Sequence, residues 1–115
     1  MSLNAPHSPF NVPKEYYELY ENEGDLLESQ KRFYGMITNI DDNFGRLHQQ
    51  VESLGILDKT IIIFTTDNGT SNGYKYSKKD KKWLGFNAGM RGTKTSEYDG
   101  GHRVPSVSYT HLTLP

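Results

Sequence analysis

Apolar residues recur at Phe33, Ile37, Ile40, Phe44, Leu47, Val51 and Leu54, alternately four and three positions apart. At about 100° of rotation per residue this spacing keeps one apolar stripe on an α-helix. It predicts a helix from Leu27 to Leu54, closed by Gly55 where a C-terminal cap belongs. The same stripe could serve a coiled coil. It spans only three heptads, however, and Asn39, Asp42 and Gly45 lie nearby, so a helix packed on a sheet is the preferred reading. After a short turn at Ile56-Leu57-Asp58-Lys59, the pattern changes to Thr60-Ile61-Ile62-Ile63-Phe64-Thr65-Thr66. A β-branched run without alternation predicts a central parallel strand buried on both faces. A long helix leading through a tight turn into such a strand is an α/β unit.

The flanking segments are less regular. Residues 1–13 contain three prolines and read as a loop; residues 14–27 are acidic and tyrosine-rich, with one short helical turn and a connector at Gly24. Residues 70–82 are polar and read as a surface insertion, in which Tyr74, Tyr76 and the adjacent Trp83 are candidate sugar-stacking residues. Lys78-Lys79-Asp80-Lys81-Lys82 reads as part of a solvated loop rather than a polyanion patch, because the chain as a whole is not basic. Residues 85–105 hold five glycines and few apolar residues, which argues against an uninterrupted helix and predicts a backbone folded tightly around something.

Composition narrows the possibilities. The chain has 115 residues, is 34% hydrophobic and has a mean hydropathy of −0.74. That is lean for a self-sufficient core, yet the apolar residues gather in strongly patterned segments, as in part of a larger domain. A net charge of −1 argues against nucleic acid as a partner. The absence of cysteine excludes disulfides, thiolate metal sites and cysteine nucleophiles. No segment approaches the roughly 18 apolar residues of a membrane span.

Three places carry candidate chemistry. Asp67 and Asn68 follow the predicted strand, and ligands of open α/β sheets bind beyond the carboxyl ends of strands. A carboxylate and an amide carbonyl are hard donors suited to Ca²⁺ or Mg²⁺. The pair by itself reads first as an Asx-type turn, with Gly69 supplying a positive φ. His7, stiffened by Pro6 and Pro9, is placed for proton transfer, although a lone loop histidine is most often an ordinary surface residue. Arg91 and Lys94 lie in a glycine-flanked run and could neutralise an anion, with His102 as a further candidate; the plain alternative for each cation is a solvated charge. Arg103 could tie down its own loop.

Separately these signals are weak, but their order is informative. The run Phe64-Thr65-Thr66-Asp67-Asn68-Gly69, then Arg91-Gly92-Thr93-Lys94, then Glu97-Tyr98-Asp99-Gly100-Gly101-His102-Arg103-Val104-Pro105, strongly resembles the sulfatase family. So do Asn4-Ala5-Pro6-His7-Ser8-Pro9 and the helix around Tyr34–Asn43. The resemblance covers roughly residues 3–105. It implies an α/β, alkaline phosphatase-like fold, a mixed or parallel sheet flanked by helices, and hydrolysis of a sulfate ester. It further implies Asp67 and Asn68 as ligands of a divalent cation, usually Ca²⁺, with Mg²⁺ as the alternative. Lys94 would contact the ester and leaving oxygens, and His7 would assist departure of the alcohol. Arg91 and His102 are the additional substrate-binding candidates. The substrate implied is a sulfated small molecule or glycan, and relatives of this kind are often exported.

The departures from the family pattern are equally specific. The family nucleophile is a formylglycine made from Cys or Ser in a context with Pro and Arg downstream; the chain has no cysteine and no serine in that context. The paired aspartates that supply other metal ligands are missing too. The chain therefore reads as an internal piece of the catalytic domain, residues 1–105, expected to be inactive alone. Residues 106–115 do not resemble the family's apolar continuation and read as non-native or frameshifted, so His111 is set aside. The alternatives are a phosphatase or phosphonate hydrolase of the same superfamily, or a truncated remnant without function.

Overall fold

The computed structural model describes residues 3–71 and 87–109 together with the backbone of 76–77 and 82–83. The chain divides into two compact units, residues 1–56 and residues 57–115.

The first unit is a helical pair. Helix α1 (Lys14–Glu18) packs on the long helix α2 (Glu28–Ser53), which buries Gly35 and Met36, two residues outside the apolar stripe. At the N-terminus of α2 the Gln30 side chain accepts the Leu27 backbone N–H at 2.9 Å, which is half of a capping box. Leu27 has no side-chain acceptor to complete it. At the other end Gly55 adopts φ +65°. Its N–H donates to the Glu52 carbonyl at 2.9 Å, and the Ile56 N–H donates to the Val51 carbonyl at 3.3 Å. This pair of bonds is a Schellman cap, and the left-handed φ is what demands glycine there.

The helices meet at Gly35, where a Cβ would lie 2.9 Å from the Tyr16 carbonyl oxygen and 3.0 Å from a Val12 methyl. Tyr16 and Met36 are buried at this crossing. Phe10 packs edge-on to Phe33 with ring centres 5.7 Å apart, and the Tyr20 hydroxyl bonds to Thr38 Oγ1 at 2.7 Å. The rest of the stripe is less covered, with Ile37, Leu47 and Leu54 exposed.

The second unit starts with a 3-10 turn at Leu57–Lys59 and enters strand β1 (Ile62–Thr65). Strand β1 pairs antiparallel with β4 (Ser106–Tyr109), Phe64 opposite Val107 and Thr65 opposite Ser106. A second antiparallel pair joins β2 (Tyr76–Ser77) to β3 (Lys82–Trp83), with Tyr76 opposite Trp83. The short helix α3 (Asp99–His102) precedes β4. Among the described residues, strand pairing is therefore antiparallel.

This differs from the expectation of a doubly buried parallel strand. Ile61, Ile63 and Phe64 are 67%, 65% and 50% exposed. An unalternating apolar run needs cover on both faces, and the described residues of this chain do not provide it. Tyr74 and most of the lysine block lie outside the described residues. Among those described, no helix is long and apolar enough to cross a membrane.

Candidate functional site

The residues that follow β1 are held by backbone packed against backbone. The Gly69 N–H donates to the Gly101 carbonyl at 2.9 Å, and the Lys94 N–H donates to the Thr70 carbonyl at 2.6 Å. The Gly100 N–H in turn donates to the Arg91 carbonyl at 2.8 Å. Three stretches, 67–70 and, some twenty residues or more further on, 91–94 and 99–101, are thereby fixed to one another. Asp67, Asn68, Lys94, Arg91 and His102 all belong to this second unit.

The glycines are required by space rather than by turn geometry. A Cβ on Gly69 would collide with the Gly100 carbonyl oxygen and lie 2.8 Å from its carbon. One on Gly100 would collide with the Gly92 carbonyl oxygen and sit 2.7 Å from that of Arg91. A positive φ at Gly69, expected from an Asx-type turn, is not found; among the described residues the left-handed glycines are Gly55, Gly89 and Gly92. What Gly69 supplies is the closeness of two chains.

Within this frame the carboxylate of Asp67 is exposed. Asn68 is half-buried, and its Nδ2 donates to the Gly69 carbonyl at 2.8 Å. That bond directs the amide nitrogen to the backbone and leaves Oδ1 as the side chain's remaining polar atom. Asp67 and Asn68 therefore offer two hard oxygen donors in succession. Thr66 Oγ1 donates to the Asn68 carbonyl at 3.3 Å and steadies the bend. Lys94 is half-buried, and among the described residues no carboxylate lies within ion-pair distance of it.

The other cations are occupied. The Arg91 guanidinium lies 3.6 Å from the centre of the Tyr98 ring, a cation–π contact. His102 Nε2 donates to the Glu97 carbonyl at 3.2 Å. Arg103 pairs with Asp99 at 3.7 Å across an exposed turn of α3, an arrangement worth little in water. His7 stands in the first unit, exposed, with its Nδ1 bonded to the Ser8 carbonyl at 2.7 Å. A carbonyl can only accept, so Nδ1 carries the hydrogen of this bond.

One residue escaped the sequence reading. Asn87 is only 4% exposed, and its Nδ2 donates to the carbonyls of Met90 at 2.7 Å and Gly92 at 3.1 Å. Its Oδ1 and the Ser96 hydroxyl are buried without a partner among the described residues. An asparagine among glycines, at Gly85-Phe86-Asn87-Ala88-Gly89, was the available signal.

As to a cation, Asp67 and Asn68 have the right chemistry for Ca²⁺ or Mg²⁺, but Ca²⁺ takes six to eight oxygens. No cluster of three or more His, Cys, Asp or Glu able to hold a metal occurs among the described residues. The pair fits as two members of a larger donor set.

Comparison with known proteins agrees with the motif order. A Sulfatase family model matches residues 1–114, and the chain belongs to the Sulfatase family. An arylsulfatase of Clostridium perfringens is 28% identical over 95% of this chain and 26% of its own length. Human N-acetylgalactosamine-6-sulfatase is 28% identical over 91% of the chain and 20% of its own. The solved structure of Ps i-CgsB superimposes with a TM-score of 0.77 at 27% identity, covering 98% of this chain and 23% of that one. Its complex with k-i-k-neocarrahexaose gives 0.73 at 28%, covering 97% and 22%. The fold is accordingly the alkaline phosphatase-like α/β fold expected from the motifs, and the chain spans about a quarter of the length of these proteins.

Proposed function

We propose that this chain supplies part of the active site of a sulfuric ester hydrolase acting on sulfated glycans. The observation that carries the reading is the clamp joining the Asp67-Asn68-Gly69 bend, the Lys94 segment and Gly100-Gly101 through the Gly69–Gly101 and Lys94–Thr70 hydrogen bonds. Glycan as the substrate class rests on the names of relatives, an N-acetylgalactosamine-6-sulfatase and a protein crystallised with a neocarrahexaose. Such substrates fit an exported enzyme, and export is part of the proposal.

In this reading Asp67 and Asn68 hold a divalent cation, Ca²⁺ before Mg²⁺, which supplies polarisation of the sulfate oxygens when bound. The Lys94 ammonium neutralises charge that builds on the bridging ester oxygen as the S–O bond stretches. A preorganised donor in such a position is typically worth about 3 kcal/mol of barrier. His7, in the first unit, takes from the family resemblance alone the role of giving a proton to the departing alcohol; its Nδ1–H bonds to the Ser8 carbonyl. Arg91, stacked on Tyr98, and His102 at the end of α3 form the outer substrate contacts. The nucleophile is not among these residues. With no cysteine and no serine in the formylglycine context, the chain alone is expected not to turn over.

Two assays test this together. The purified chain should leave p-nitrophenyl sulfate intact with and without Ca²⁺. Titration with inorganic sulfate should saturably shift the Lys94 resonances and the amides of Thr93 and Thr95 beside it, and Lys94→Met should abolish the shifts at Thr93 and Thr95. Unchanged spectra at tens of millimolar sulfate would refute the role given to Lys94.

A further inference from the structure

Three consecutive carbonyls precede Lys94, and each has a defined donor. Met90 and Gly92 both accept from Asn87 Nδ2, at 2.7 Å and 3.1 Å, while Arg91 between them accepts from the Gly100 N–H at 2.8 Å. The Asn87 backbone closes the same turn, its carbonyl accepting the Met90 N–H at 3.1 Å. The run these bonds control is irregular, with Ala88, Gly89, Gly92 and Thr95 all at positive φ. No helix or strand ladder holds it, so its conformation depends on the Asn87 side-chain bonds together with these few backbone ones.

We propose that Asn87 is a positioning residue that sets the Lys94 segment for its encounter with sulfate. The proposal rests on Lys94 being the sulfate contact. One carboxamide nitrogen carries two hydrogens, and both are spent on carbonyls flanking Arg91, so the turn is locked on both sides of one residue. Asn87 is only 4% exposed, so a donor lost there is not readily replaced by bulk water. Aspartate has the same shape but offers no donor, and would face the two carbonyls with a buried acceptor. Beyond Gly92 the chain reaches Lys94 in two residues, where the Lys94 N–H takes the Thr70 carbonyl. Asn87 acts on Lys94 through this short tether, and does not itself touch substrate.

The test uses Asn87→Asp in the full chain, read by amide hydrogen exchange and by titration with inorganic sulfate. Protection of the Lys94 and Met90 amides, which donate to the Thr70 and Asn87 carbonyls, should fall about tenfold or more, as expected for losing two buried bonds. The Gly69 amide, on Gly101 in the same unit, should keep its protection, and sulfate affinity at Lys94 should weaken about tenfold. Equal loss at Gly69 and Lys94 would mean a general structural role and would overturn the proposal, as would unchanged sulfate affinity in a chain whose wild type binds it. Should the variant fail to fold, the wild type decides. The Asn87 Nδ2 protons must exchange as slowly as the Lys94 amide, and exchange at the free rate overturns the inference. If wild-type Lys94 ignores sulfate, the functional reading fails, and the split between Lys94 and Gly69 protection still decides whether Asn87 positions the segment.

Discussion

Replacing Gly100 by alanine perturbs the clamp at its tightest point. The new methyl would collide with the Gly92 carbonyl oxygen and come within 2.7 Å of the Arg91 oxygen and 2.8 Å of the Gly92 carbon. All three are backbone atoms, so no side chain can swing aside. Overpacking of this kind costs about 1–3 kcal/mol. Separating the segments to make room also stretches the Gly100–Arg91 and Gly69–Gly101 bonds, at about 1 kcal/mol each. The expected loss in the second unit is about 3 kcal/mol or more, which is a fall of about 100-fold in protection of the Gly69, Lys94 and Gly100 amides. Gly45→Ala is the matched control, since nothing lies within 4 Å of its Cβ position on α2. It should stabilise the helix by about 0.5–1 kcal/mol. The assay is amide exchange residue by residue, with urea unfolding of both variants. Native protection at Lys94 and Gly69 in Gly100→Ala would show that the glycine contacts do not hold the site.

Other consequences are direct. Gly35→Ala pushes a methyl against the Tyr16 carbonyl, where α1 crosses α2, and should destabilise the first unit by about 1–3 kcal/mol in urea unfolding. The Tyr17 hydroxyl donates to a Glu28 carboxylate oxygen at 2.9 Å, and this bond raises the phenol's pKa above its ordinary value, with the nearby carboxylate charges adding to it. The native state therefore prefers the neutral phenol. The contribution to stability is present below the unfolded pKa and is lost as pH rises through the higher folded one, a window above about pH 10. Absorbance titration of tyrosinate should place Tyr17 later than a free tyrosine, and Glu28→Gln should bring it back.

Much of this was legible in the sequence, for physical reasons that differ by element. The stripe from Phe33 to Leu54 has one period and one cap, so α2 and its Gly55 terminus were readable to within a residue or two. Strand β1 was readable as a strand, because β-branched residues in an unbroken run have few other uses. Its pairing was not, since the antiparallel partner β4 comes from Ser106–Tyr109, in the segment that read as non-native because it does not resemble the family's apolar continuation. Asp67, Asn68 and Lys94 were legible as motif residues. Their mutual attachment was not, because it is made by backbone groups of glycines that leave no polarity pattern. Asn87 was missed for a related cause: its function lies in a nitrogen aimed at carbonyls, and an asparagine beside glycine reads as an ordinary turn.

The proposed half-site is tested most directly by titrating the isotopically labelled chain with Ca²⁺ and following the Asn68 and Gly69 amides beside Asp67. Saturable shifts confined to this bend are expected, weak because only two oxygen donors are offered, and absent in Asp67→Ala. Shifts that survive in Asp67→Ala, or a wild-type chain that does not respond at all, would contradict a cation-facing role for this pair.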